Sequence, residues 1–172
     1  MGKRSKGTNG AVGTAGGGTP ATLTLERAGV AYSLHVYTHD PAVSDFGAEA
    51  AAALAVEPER VFKTLLAVVD GALVVGVVPV SGMLDLKALA RVRGGKRAEM
   101  ADVAVAERRT GYVAGGISPF GQKTRLPTVV DESALQWESV FVSGGRRGLD
   151  IELSPADLVT VSGATVAPIA RG

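Results

Sequence analysis

The chain has 172 residues, with 18 Lys and Arg against 17 Asp and Glu, a net charge of +1 and no cysteine. That length suits one domain with a core of its own. The missing thiols exclude disulfides, thiolate metal sites and a cysteine nucleophile, and the near-zero charge leaves only local patches for any contact with nucleic acid.

Residues 1–18 are Gly-rich and carry Lys3, Arg4 and Lys6. With almost no apolar content they cannot offset their ordering entropy, so a flexible tail is expected, with one domain over 19–172. No apolar run approaches the ~20 residues of a membrane span, and the basic N-terminal segment lacks the hydrophobic core of a secretory signal. A soluble, cytoplasmic, monomeric protein with no membrane contact is expected.

Thr19-Pro20 reads as an N-cap followed by Pro in the first turn, opening a short helix that ends at Gly29. Tyr32 to Tyr37 reads as a strand. Ser44 or Asp45 caps an Ala-rich helix through Leu54, and Pro58 opens a turn into the next segment. Val61 to Val69, then Asp70-Gly71, then Ala72 to Val78 reads as a β-hairpin. Asp85 caps a helix presenting Leu86, Leu89 and Ala90, stopped at Gly94-Gly95, and Asp102 caps another that ends at Gly111. Strand-like runs follow at Thr128–Val130, Val140–Val142 and Leu149–Leu153. Ser154-Pro155-Ala156-Asp157 has the spacing of a capping box for a last helix. Helices and strands mix without a regular β-α repeat, so the fold class is α+β rather than a doubly wound sheet.

Lys63 is the most informative residue. Strand alternation puts it on one face with Val61, Leu65, Ala67 and Val69. An ammonium there either points into a wet pocket or meets an anion, or it is a strand-end lysine whose head reaches water. The two histidines, His35 and His39, are four apart in a region that reads as strand, where that spacing does not bring side chains together; structural or hydrogen-bonding roles are expected, with no metal site. Gly116 to Thr124 superficially resembles a phosphate loop, but Gln122 separates Gly121 from Lys123 and misaims the cation. Gly115-Gly116 and Ser143-Gly144-Gly145 are places where backbone amides can face a ligand closely.

Three blocks, Val61-Phe62-Lys63-Thr64-Leu65, Gly115-Gly116-Ile117-Ser118-Pro119 with Gly121-Gln122-Lys123, and Val142-Ser143-Gly144-Gly145-Arg146-Arg147-Gly148-Leu149-Asp150, resemble the signature segments of the YbaK family. Tyr37-Thr38-His39-Asp40-Pro41 and Asp45-Phe46-Gly47 are similar to its early segment. The likeness runs from about Thr19 to Arg171, in order, and the tail lies outside it. The resemblance implies a single domain (a mixed, barrel-like sheet flanked by short helices) that hydrolyses mischarged Cys-tRNA(Pro) in trans. It further implies that the substrate's own thiol is the nucleophile and that no cofactor is needed. By resemblance, Lys63 is the residue needed for activity. Tyr37, Phe46, Thr64, Gly115, Gly116, Ile117, Ser118, Ser143, Gly144 and Asp150 belong around the substrate. The implied partners are the acceptor end of an aminoacyl-tRNA and prolyl-tRNA synthetase. The alternatives are a deacylase for another small amino acid such as alanine, and a non-catalytic module that binds aminoacyl-tRNA or a synthetase.

Overall fold

A computed structural model describes residues 18–172. The tail expected over 1–18 lies outside the described residues apart from Gly18. In chain order the elements are helix α1 (Pro20–Ala28), strand β1 (Ser33–Val36), α2 (Phe46–Leu54), a 3-10 turn (Pro58–Arg60), β2 (Phe62–Val69), β3 (Ala72–Pro79), β4 (Met83–Leu84) and α3 (Leu86–Val92). They continue with β5 (Ala98–Met100), α4 (Val103–Thr110), β6 (Thr128–Asp131), a second 3-10 turn (Glu132–Gln136), β7 (Val140–Arg146), β8 (Leu149–Leu153), α5 (Pro155–Ser162), β9 (Thr165–Ala167) and β10 (Ala170–Arg171).

Each α-helix begins where a short polar side chain can accept a hydrogen bond from an otherwise orphaned N–H. Thr19, Asp45, Asp85, Asp102 and Ser154 accept from Thr22, Ala48, Ala88, Ala104 and Asp157 at 2.8–3.2 Å. Asp45, not Ser44, caps α2. The β2–β3 turn has φ of 47° at Asp70 and 88° at Gly71, the left-handed pair that a primed two-residue turn requires. The Asp70 carboxylate also accepts from the Lys96 and Arg97 N–H groups at 2.9 and 3.0 Å, so the hairpin tip is anchored to the chain entering β5.

Among the described residues the strands form a five-stranded sheet in the order β5-β2-β3-β6-β9, a three-stranded sheet β1-β8-β7, and the pair β10-β4. β3-β6 and β6-β9 are parallel and the other pairs antiparallel. The sheet is mixed as expected, but it does not close into a barrel. The two larger sheets meet at a parallel bridge between Val61 and Phe141, and the strands continue in separate ladders from there.

The main core lies between the two larger sheets. Phe62, Leu66, Val75, Val77 and Val130 from one side meet Val140, Val142, Ile151 and Leu153 from the other, sealed by Leu25 of α1 and Leu158 of α5. The opposite face of the large sheet packs Ala67, Val69, Val74 and Val78 on Leu89 of α3. β2 is therefore covered on both faces, which is why it reads as a continuous apolar run rather than an alternating one. A third, small cluster joins Ala50 and Ala51 of α2 to Val61 and Phe141 at the bridge.

Asp131 closes the C-terminal segment onto β6. Asp131 is 5% exposed. It accepts from the N–H groups of Ile169 and Ala170, both at 2.9 Å, and of Ser133 at 3.1 Å. Asp131→Ala strands all three donors, and urea unfolding should show a loss of about 3 kcal/mol. Asp131→Asn keeps an acceptor and should lose less. A loss under about 1 kcal/mol for the alanine variant would mean that solvent satisfies these amides instead.

Candidate active site

The two strands that touch at Val61 and Phe141 both lead into the same recess. Two residues on from the bridge stand Lys63 in β2 and Ser143 in β7, each on the same face of its strand as the bridging residue. Ser143 in turn pairs with Asp150 of β8, and β7 is irregular between Ser143 and Arg146. The strands part here, and the space between them is a cavity of about 240 Å³.

Lys63, Thr64, Ser143 and Asp150 line this cavity together with Tyr37, Phe46, Gly115 and Ile117. Eight of the sequence-derived site residues, from five separate chain segments, thus converge on one recess. Ser44, Asp45, Gly47, Ala50, Val61, Phe62, Leu65 and Val80 complete the lining. The sequence singled out none of these as site residues. Asp45, Gly47, Val61, Phe62 and Leu65 lie in the family-like segments beside Phe46 and Lys63, whereas Val80 carries no local signal and reaches the recess through tertiary packing against Gly47.

Gly116, Ser118 and Gly144 stand behind the lining. The Gly116 N–H is taken by the Val113 carbonyl at 2.8 Å, so of that glycine pair Gly115 is the one that faces the cavity. Ser118 is fully buried and its hydroxyl accepts from the Phe120 N–H at 3.3 Å. The Gly144 carbonyl accepts from the Thr19 hydroxyl at 2.6 Å, fastening β7 to the start of α1.

The polar groups in the cavity are unusual for a folded interior. The Thr64 hydroxyl is buried and without a hydrogen-bond partner, which costs stability unless a ligand supplies one. Burial pushes the Asp150 carboxyl up to about 7, with only partial relief from His35 across the β1–β8 ladder. Burial also raises the Tyr37 phenol to about 12, helped by the charge of Asp150, so it remains a hydrogen-bond donor. Lys63 is partly buried and forms no ion pair among the described residues. An ammonium, a carboxyl near neutrality and an unpartnered hydroxyl thus share one small space.

The walls are held by contacts the sequence could not show. His39 Nδ1 meets Glu49 Oε1 at 2.7 Å, and Glu49 Oε2 accepts from the Asp40 N–H at 2.7 Å. The Asp40 N–H and the His39 ring hold that carboxylate below its ordinary range. This clamp ties the 38–45 segment to α2 and presents Phe46, whose ring lies 5.6 Å from His39. Gly115 has φ of 84°, and a Cβ there would stand 2.7 Å from the Phe46 ring, so only glycine fits. His35 pairs with Glu152 at 2.9 Å, and Ser139 and Arg60 complete that network. Both histidines hold walls in place, in hydrogen-bonding roles.

Residues 40–161 match the aminoacyl-tRNA editing domain family. A protein of Enterococcus faecalis named "Putative Cys-tRNA(Pro)/Cys-tRNA(Cys) deacylase EbsC" is 41% identical over 120 residues, which are 69% of this chain and 73% of that protein. The crystal structure of a hypothetical protein superimposes with a TM-score of 0.80 at 27% identity, covering 88% of this chain and 99% of its own. The structure described as "a putative trans-editing enzyme for prolyl tRNA synthetase" gives 0.76 at 28% identity, covering 89% and 96%.

The raised Asp150 carboxyl has a measurable consequence. Between the ordinary Asp range and about pH 7 the folded chain keeps a proton that the unfolded chain has lost, so the contribution to stability falls as pH rises through that window and is level above it. Against Asp150→Asn, the wild-type chain should lose up to roughly 4 kcal/mol between pH 4 and 8, read by urea unfolding at each pH. Parallel curves for the two proteins would show that Asp150 ionises without penalty in the fold.

Proposed function

The chain belongs to the aminoacyl-tRNA editing domain family, and from that membership we propose that it is a deacylase that hydrolyses mischarged Cys-tRNA(Pro) in trans. The carrying observation is the convergence of Lys63, Thr64, Gly115, Ser143 and Asp150 on a cavity of about 240 Å³. That volume is below the usual range for a drug-sized ligand, so it suits a small aminoacyl group and leaves the terminal nucleoside at the mouth. The name and sequence identity of the Enterococcus faecalis relative support cysteine as that aminoacyl group.

The lining residues include no cysteine and no histidine; a serine or threonine hydroxyl there has no imidazole to activate it and is a weak nucleophile unassisted, so the nucleophile of the proposed reaction is the substrate's own thiol. The cysteinyl thiol attacks its own ester carbonyl carbon, the carbonyl oxygen takes up negative charge, and the carbon–oxygen bond to the ribose breaks as that oxygen accepts the thiol proton. The products are tRNA and a thiolactone, which water then opens to cysteine. Holding thiol and carbonyl together makes the attack intramolecular, the largest rate advantage available to a site without its own nucleophile. Lys63 polarises the ester and stabilises the developing oxyanion, with the Gly115 amide as a neutral donor. Thr64 and Asp150 supply hydrogen bonds to the aminoacyl group, and Ser143 and Phe46 orient it. The tRNA body is read weakly by so small a surface, and prolyl-tRNA synthetase as partner supplies that discrimination.

Lys63→Ala should lower kcat/KM on Cys-tRNA(Pro) by about 100-fold or more while the thermal midpoint stays near wild type, because removing an unpaired cation leaves no large cavity. Lys63→Arg should also be impaired, since a planar fork does not replace a point charge. Turnover like that of the wild type in Lys63→Ala would remove Lys63 from the reaction.

The nucleophile is tested by the ester itself. Ser-tRNA(Pro), nearly isosteric but with a weaker nucleophile, and Ala-tRNA(Pro), with none, should be cleaved far more slowly than Cys-tRNA(Pro), and an amine nucleophile added as a trap should be acylated by the thiolactone, the adduct being read by mass spectrometry. Equal rates on the cysteine and alanine esters would instead identify a water-dependent deacylase for small amino acids.

A further inference from the structure

The turn between β7 and β8 consists of Arg147 and Gly148, since Arg146 pairs directly with Leu149. Its tip is pressed onto β1: a Cβ at Gly148 would stand 2.6 Å from the Tyr37 carbonyl, and the Tyr37 N–H donates to the Gly148 carbonyl at 2.9 Å. The exposed Arg147 side chain runs from this tip to the cavity mouth. Its guanidinium lies 4.7 Å from the Phe46 ring centroid, and its Nε–H donates to the Ala114 carbonyl at 2.8 Å. Phe46 and Gly115, the neighbour of Ala114, both line the cavity.

Two fixed contacts therefore hold the guanidinium plane at the mouth, and among the described residues its Nη groups make no hydrogen bond. Among the described residues Arg147 forms no ion pair, in contrast to Arg60, which meets Glu57 and Glu152. A planar cation fixed in advance loses little freedom on binding, and its fork matches phosphate oxygens. The cavity beside it holds only the aminoacyl group, so the nucleotide carrying the ester sits at the mouth, within reach of this cation. In a chain with net charge +1 such a contact must be local.

We propose that Arg147 is a phosphate-binding residue for the 3′-terminal nucleotides of the RNA whose aminoacyl ester occupies the cavity. This rests on the deacylase reading and adds to it a recognition element for the RNA backbone.

The test compares two cysteinyl esters, one on adenosine, which has no phosphate, and one on a short oligonucleotide ending in CCA. Arg147→Ala should raise KM about tenfold on the oligonucleotide ester with little change in kcat, and leave the adenosine ester within about twofold. The slope of log kcat/KM against log salt on the oligonucleotide should become shallower by about 0.7, the value for one phosphate neutralised on a single strand. Arg147→Lys, which keeps the charge, should recover part of the affinity. An equal loss on both esters would overturn the proposal and reduce Arg147 to a prop for Phe46; no loss on either would overturn it as well. If the wild-type chain cleaves neither ester, the deacylase reading fails. The unacylated oligonucleotide then decides for Arg147: fluorescence polarisation should show weaker binding to Arg147→Ala, and equal binding would dismiss the phosphate contact.

Discussion

The parallel bridge between Val61 and Phe141 joins two sheets that otherwise keep separate ladders, and the candidate site exists because the joining stops there. Both bridging residues are almost fully buried, packed against Ala50 and Ala51 of α2. Beyond them β2 is held by β3 on its far side, and β7 is held by β8 on its own. Had the two strands stayed paired, Lys63 and Ser143 would be neighbours in one continuous ladder and no cavity would lie between them. Past the bridge each strand pairs with its own neighbour and not with the other, so the gap opens in register with the polar residues. A small alanine face on α2 is what allows the helix to sit close enough to roof it.

That geometry places polar groups in a setting hostile to them. Burial without a hydrogen-bond partner costs a hydroxyl such as that of Thr64 about 1–3 kcal/mol. Burial likewise holds the Asp150 carboxyl near neutrality. Neither feature helps the chain fold. The fold offsets both with the large apolar core between the two sheets.

Precision at such a site depends on what stands behind the lining residues. Here the support is mostly polar and reaches across the chain. The His39–Glu49 clamp fixes the segment that carries Phe46, and the Glu152 carboxylate gathers His35, Arg60 and Ser139 on the same face of the small sheet as Asp150. Hydrogen bonding from His35, with Ser139 and Arg60, holds Glu152 below the ordinary carboxylate range, so the negative charge of this network rests on Glu152.

Local chemistry was legible in the sequence. The caps at Thr19, Asp85, Asp102 and Ser154, the Asp70-Gly71 turn and the apolar run of β2 follow from interactions within a few residues, and these fix where each element begins and ends. Lys63 stood out because one ammonium interrupts that run, and the glycine pairs stood out because backbone can approach closely there. Which of those residues share a cavity could not be read locally. Gly115 faces it while Gly116, one residue on, spends its N–H on a turn. Ser118 looks as available as Ser143 in the sequence, yet it is sealed in the core. That the barrel-like sheet stays open is decided in the same way, because closure depends on whether distant strand edges meet, and here they meet at Val61 and Phe141 and then pair separately. Sequence alone determined the elements and the chemical groups. Tertiary structure decided which groups face one another and which lie behind them, because burial and long-range pairing are properties of the packed sheets and not of any segment.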